Sequence, residues 1–421
     1  MKIIIDIAFY QILHIPLIVL FFSFFSIYLT LYNKFFHIKN IKNVAAFLKN
    51  GDRKEQSSFG VLISCIGTVL GIGNIIGGGM SVKIAGPGVL FWILIACIFT
   101  SSLKFFETMT CLEYKKTHKT EGNISYFCIK SSFGKIGIAL SLIYILCFTF
   151  GYFINGLLQV NQIFTILNFT AIYKYLAAFC ISVFIFIVLK NGILSLSKFM
   201  TKVVPLMMFL YILICIYSIL NSQNGFFTTF FIIINDALNP KSAGIGFMIG
   251  YAIRRLCFAA DIGTGLSGTM SSDIKNDPKK QGVISVFEII FVGISVFITG
   301  FTVVASGIDM SNLSGVSIMQ AAICQTNIIK ITFSIIIFLF GITTACSCGF
   351  LAQQGVKVFN VKYLPIVILV VYAILTFFSH CIAFEPILNT LDSCLILAAV
   401  INIVAIFKHK RFFYYLTNKT K

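Results

Sequence analysis

The chain has 421 residues, 58% hydrophobic and only 11% charged, with a formal net charge of +18 and a mean hydropathy of +0.97. A soluble protein covers its surface with roughly a quarter charged residues, so a soluble globular fold is excluded. The basic excess does not point to nucleic acid, because most of it falls in alternate connections between apolar runs and not in a basic groove interleaved with aromatics.

In chain order, about eleven apolar runs approach the ~20 residues that cross a bilayer: 10–33, 58–84, 88–113, 135–167, 171–189, 198–220, 243–272, 282–306, 328–355, 362–384 and 387–408. The first run is too long for a signal-peptide core and has no small-residue cleavage site after it, so it reads as a retained helix. Segment 34–56 carries Lys34, Lys39, Lys42, Lys49, Arg53 and Lys54, and segment 114–134 carries Lys115, Lys116, Lys119 and Lys130. With the turns at Lys190–Lys202, Lys275–Lys280 and Lys357–Lys362 and the tail from Lys408, these segments are assigned to the cytoplasm. The N-terminus is then outside and the C-terminus inside. Segments 221–242 and 307–327, nearly free of basic residues, belong to the opposite side.

Two spans are abnormal. The second, FGVLISCIGTVLGIGNIIGGGMSVKIAG, places Gly67, Gly71, Gly73, Gly77, Gly78 and Gly79 inside an apolar helix. The seventh, GIGFMIGYAIRRLCFAADIGTGLSG, has a comparable glycine load together with Arg254, Arg255 and Asp261. Glycine costs about 1 kcal/mol in a helix interior, though it also permits close helix packing. Packing alone does not account for Asn74 or for charges at membrane depth, which usually face a cavity. Both spans are therefore expected to be broken, with a small solute bound near Gly71–Asn74.

With the first helix (10–33) set aside, the abnormal spans lead two sets of five, 58–220 and 243–408. The expected fold is all-α: one transporter domain over 1–421, built as an N-terminal helix plus a five-plus-five inverted repeat whose leading helices are broken, with a cytoplasmic tail at 409–421. The 13 Cys lie mostly in apolar runs without C-x-x-C pairs, and the 5 His are dispersed, so no metal site or cofactor is expected. No Ser-His-Asp set or paired carboxylates suggest an enzyme.

The segment GIGNIIGGGMSVKIAGPGVLFW, followed by Lys104 and Glu107, resembles the alanine or glycine:cation symporter family, which reads G-T-G-N-I-A-G, then G-G-P-G-x-x-F-W and a later K-F/Y-A-E. RRLCFAADIGTG followed by DPKKQGV resembles its R-G-L-F-S-N-E-A-G-L-G and H-P-V-R-Q-G-L. FGITTACSC is similar to its F-A-F-T-T-I-L-G-W, and Glu288 stands where the family has a Glu. The resemblance spans nearly the whole chain. It implies the amino acid/polyamine/cation fold, uptake of a small neutral amino acid such as alanine or glycine driven by Na+ or H+, and a bacterial inner-membrane location.

A break near Gly71–Gly73 frees the N–H groups of Ile72, Gly73 and Asn74, which can cradle a carboxylate at a half-helix N-terminus. Carbonyls around Gly67 and Leu70 can hold a cation, and the resemblance offers Thr343 and Thr344 as hydroxyl partners; the alternative for these threonines is bonding back to their own helix. In the seventh span, carbonyls near Cys257 and Phe258 are candidate acceptors for a substrate ammonium, and Phe258 and Ile262 candidate pocket walls or plain core. Gln159, at mid-membrane, is either a substrate contact or a helix–helix bond. Arg254 and Asp261 can pair across two turns if the helix is continuous there, as structural or gating charges, and Glu288 is assigned to the same class. Lys104 and Glu107 are expected to form a local i, i+3 pair at the cytoplasmic end of the third span.

The departures from the family pattern are Ile72 for Thr, Ala259–Ala260 for Ser-Asn, Asp261 for Glu, Cys348 for Trp and Val292 for Asp. The lost polar groups keep open a second reading, an uncoupled exchanger or facilitator on the same fold. An ion channel is disfavoured because no filter-like loop or acidic ring appears.

Overall fold

A computed structural model describes residues 15–49, 57–167, 171–239, 244–274, 277–313, 315–323, 326–382 and 385–409. Residues 10–14 of the first expected span, Arg53 and Lys54, Lys275 and most of the tail lie outside them. The main helices are α1 (Ile15–Tyr32), α2 (Ser58–Val69), α3 (Ile72–Ala85), α4 (Val89–Thr117), α5 (Ile124–Ser132), α6 (Gly137–Leu167), α7 (Ala171–Lys190) and α8 (Gly192–Leu220). They continue with α9 (Gly225–Leu238), α10 (Ile245–Ala259), α11 (Leu266–Met270), α12 (Pro278–Ser306), α13 (Val316–Ile323), α14 (Asn327–Lys357), α15 (Leu364–Phe378) and α16 (Glu385–Lys408).

The described residues form an all-helical membrane protein. Eight helices are long and apolar enough to cross a bilayer, or up to 9 if the bent pair α2–α3 counts as one span. The expected eleven are not reached by that measure. The first span is described only from Ile15, and the seventh is interrupted after Ala259, so both fall short on length. Helices α9 and α13 occupy the connections 221–242 and 307–327; their 14 and 8 residues are too short to register as spans.

Helix starts follow local chemistry. Ser57 caps α2 by accepting from Gly60 N at 3.0 Å. Asp277 accepts from Lys279 N and Lys280 N ahead of α12, whose first residue is Pro278.

Helices far apart in the chain pack against one another. The most extensive contacts include α4 with α12, α6 with α14, and α7 with α15, which are the third and eighth, fourth and ninth, and fifth and tenth expected spans. The connections also segregate. Lys115 meets Asp273 at 2.7 Å and Asn123 N donates to Gln354 O, joining three of the Lys-rich segments. Lys83 Nζ donates to Ser311 O and Leu313 O, and Gly88 N to Asp236, joining the Lys-poor ones. In these contacts Lys-rich segments meet Lys-rich ends of the bundle, and Lys-poor segments meet Lys-poor ends.

Candidate functional site

The second span bends by 52° between α2 and α3. Leu70 (φ −87, ψ 72) and Gly71 (φ −98, ψ 179) leave the helical path, so the break falls one or two residues before the expected Gly71–Gly73. The chain re-enters helix at Ile72, where N–H groups of the first turn have no partner within their own helix.

Four of the groups at the break meet side chains. Thr344 Oγ1, from α14, donates to Gly67 O at 3.0 Å and lies 3.4 Å from Leu70 O. Asn74 Nδ2 turns back to Val69 O at 2.5 Å. Gln159 Oε1, from α6, accepts the N–H of Ile72 at 3.1 Å. Of the three N–H groups expected to form a cradle, that of Asn74 is taken by Gly71 O. Gly73 is exposed, with nothing within 4 Å of where its Cβ would lie.

These contacts converge on Gly71. A Cβ there would lie 3.0 Å from Gln159 Oε1 and 3.1 Å from Thr344 Oγ1, so a larger residue would press on both. The expected cation residues and the expected solute residue thus touch one backbone point. The helix ends also carry opposite partial charges, negative at the α2 carbonyls and positive at the α3 N–H groups. Thr343 is separated from this arrangement. Its hydroxyl bonds back to Leu339 O at 2.8 Å and Phe340 O at 3.1 Å, and lies near Met207 Sδ.

The seventh span is also broken, between α10 and α11. Asp261 (φ 46), Gly263 (φ 82) and Gly265 (φ 91) are left-handed. Its carbonyls go to protein partners: Cys257 O accepts from Ile262 N, while Ala260 O and Asp261 O face Lys104. Cys257, Phe258, Asp261, Ile262 and Thr264 line a crevice of about 20 Å³ beside Ile18, Phe22 and three residues of α16. That is room for about one water and too little for an amino acid.

Two expected ion pairs do not form. Helix α10 ends at Ala259 and Asp261 is left-handed, so the two-turn stacking of Arg254 over Asp261 is lost; Arg254 lies over the Phe258 ring at 5.7 Å. Lys104 does not pair locally with Glu107. Fully buried, it reaches Glu288 at 3.4 Å, while Glu107 Oε2 accepts Gly263 N at 2.8 Å. Both side chains are drawn from their own helix to the polar groups of the second break, where burial leaves them no water.

A scan against protein families matches residues 2–419 to the Sodium:alanine symporter family. The chain belongs to that family. It is a transporter and not an enzyme. The chain is 27% identical to the sodium/alanine symporter AgcS of Methanococcus maripaludis over 70% of each chain. It is 23% identical to the probable sodium/glutamine symporter GlnT of Bacillus subtilis, over 93% of this chain and 84% of that one. Among solved structures, a Na+-coupled sialic acid symporter in a substrate-bound outward-open state aligns with TM-score 0.63 and 12% identity, covering 93% of this chain and 86% of that one. Mhp1, a nucleobase-cation-symport-1 family transporter, aligns with TM-score 0.52 and 16% identity, covering 83% and 78%. At these identities the solved structures show a shared fold.

In this symporter-family chain, some contacts at the breaks were not anticipated. Arg255 Nη2 donates to Gly73 O at 2.6 Å and lies 3.5 Å from Asn74 Oδ1, joining α10 to the first break. Its guanidinium occupies the space a Cβ on Gly77 would need. Gly77, four residues after Gly73, was the available signal: small residues one turn apart leave a seat for a neighbour. Tyr144 and Tyr152 of α6 hold Thr264, and Asn402 of α16 donates to Gly263 O at 2.7 Å. Single polar residues in apolar spans gave no pairing signal.

Proposed function

We propose that this chain is a secondary active symporter that carries a small neutral amino acid, such as alanine or glycine, together with Na+ by alternating access. Its frame is taken to be an N-terminal helix and two five-helix repeats over 58–220 and 243–408, supported by the member-to-member packing of α4 with α12, α6 with α14 and α7 with α15. The N-terminus is placed outside and the tail inside the bacterial inner membrane, supported by the Lys-rich face.

The observation that carries the reading is the meeting of Gln159 and Thr344 at Gly71. Gly67 O, Leu70 O and the Thr344 hydroxyl supply three neutral oxygens for the cation. None of them titrates, which favours Na+ over H+ at this point. The solute carboxylate is assigned to the N–H groups of Ile72 and Gly73, with Gln159 giving up its bond to Ile72 as the solute arrives. Asn74 and Arg255 hold the half-helix in place. The Cys257, Phe258 and Ile262 stretch, expected as the opposite wall, is assigned to packing because its crevice holds about one water, and Arg254, Asp261 and Glu288 are structural or gating charges. Thr343 is given a supporting role because its hydroxyl is engaged within its own helix.

The test is uptake of radiolabelled alanine, glycine and glutamine into proteoliposomes, with and without an inward Na+ gradient. Gradient-driven accumulation of one of these supports the reading. Brisk counterflow with no response to Na+ would replace it with the uncoupled exchanger.

A further inference from the structure

The second break frees carbonyl oxygens as the first does, and one side chain collects them. Lys104 Nζ lies 3.0 Å from Ala260 O, 3.4 Å from Asp261 O and 3.4 Å from Glu288 Oε2, and the residue has 0% exposure. An ammonium has three donors and no acceptor, so these three oxygens meet all of them without water. Two backbone carbonyls and a carboxylate are also ligands that suit a small monovalent cation. The surroundings are rich in acid: Glu288 also accepts from Ser267 at 2.6 Å, Glu107 accepts from Gly263 N, and Asp261 is the residue whose carbonyl faces the ammonium. A buried carboxylate without its counter-charge is strongly destabilising. A cation at this point satisfies the carboxylate and both carbonyls at once.

We infer that Lys104 is a tethered cation filling the cation site of the second break, which leaves the first break as the exchangeable site and sets coupling at one Na+ per solute. This rests on the reading that Gly67, Leu70 and Thr344 hold Na+. Lys104 belongs to α4 and Glu288 to α12, the helices that follow the two broken spans, so the ammonium arrives from within the bundle and does not depend on the ion concentration outside.

The experiment replaces the tethered cation with a diffusible one. Lys104→Ala opens the room of the side chain, and Lys104→Met fills it without charge. Purified proteins are followed by melting temperature and by uptake in buffers of choline, Na+, methylammonium or propylammonium. Wild type should show a Na+ Hill coefficient of about 1 and no response to the alkylammonium ions. Lys104→Ala should lose at least about tenfold in uptake in choline-balanced low Na+. Methylammonium or propylammonium should restore both its melting temperature and its uptake, and high Na+ alone should raise its Hill coefficient toward about 2. Lys104→Met should respond to none of them.

A Lys104→Ala protein as active as wild type in choline-balanced Na+ overturns the inference. So does one that stays unfolded or inactive in every cation, since a vacated cation site must be refillable. The melting-temperature rescue needs no transport. A wild-type protein without Na+-dependent uptake would therefore sink the proposed function and leave the second-break result readable.

Discussion

Thr344→Val removes one hydroxyl at nearly constant volume from a residue only 2% exposed. In the structure this hydroxyl donates to Gly67 O at 3.0 Å, a neutral bond with a net value of about 1 kcal/mol. In the cation-loaded carrier the same oxygen faces a charge, and hydrogen bonds to charged groups are worth about 1.5–3 kcal/mol. Cation affinity reports the difference, about 0.5–2 kcal/mol, so the Na+ midpoint for uptake should rise about 2- to 30-fold. The assay is initial-rate uptake in proteoliposomes across a Na+ series at constant ionic strength, with solute near saturation. Thr343→Val is the control. Its hydroxyl is bound to Leu339 O and Phe340 O of its own helix, so its midpoint should move less than about twofold. If both variants keep the wild-type midpoint, or if Thr343→Val moves it more than Thr344→Val, the assignment of the cation to Gly67, Leu70 and Thr344 is wrong.

Gln159→Leu leaves the buried N–H of Ile72 without its acceptor, which costs about 1–3 kcal/mol; a lower melting temperature together with weaker solute binding is expected, and an unchanged melting temperature would remove Gln159 as the cap of α3. Gly73→Leu has open space for its side chain, so the protein should melt as wild type while uptake falls at least about tenfold; full uptake would move the carboxylate elsewhere. Gly77→Val needs the volume held by the Arg255 guanidinium and should reduce uptake by loosening α10 from the first break. Gly246→Ala, which meets nothing within 4 Å, is the matched silent change, and equal loss in both would show that Arg255 does not matter there.

The first break was legible because it depends on backbone chemistry. A run of glycines in an apolar span signals a helix that need not continue, and Gly67, Leu70 and Thr344 do meet around it. The break lies one or two residues before the expected Gly71–Gly73, because Gly71 is extended and Ile72 already starts the new helix. The seventh span was legible as abnormal, but not in its connections. Lys104 and Glu107 sit one helical turn apart, which suggested a local pair, yet burial directs each to a different polar group of the break. Arg254 and Asp261 failed as a pair for a related reason: spacing rules assume a continuous helix, and this one stops at Ala259. The partners that hold Thr264 and Gly263 come from α6 and α16, more than 100 residues away along the chain. No periodicity encodes that distance.

The two breaks differ in what satisfies them, and the difference separates exchange from support. At the first break the partners of Gly67 O, Leu70 O, Val69 O and Ile72 N are a threonine hydroxyl, a glutamine amide and an asparagine amide, all neutral, while the Arg255 charge bonds to Gly73 O within the first turn of α3. A cation at Gly67 O and Leu70 O, or a carboxylate at Ile72 N, makes a stronger bond than the neutral group it replaces. Such a site can empty and refill. At the second break the partners are an ammonium, two carboxylates and two tyrosine hydroxyls on α4, α6 and α12, and the residues from Ala259 to Ser271 are all buried. Ala260 O, Asp261 O and Gly263 N are already held by full charges, so an incoming solute offers them no stronger partner. The glycines of the two spans therefore serve opposite ends: around Gly71 they clear space for ligands, and at Gly263 and Gly265 they let the chain adopt the left-handed turn that the surrounding side chains hold in place.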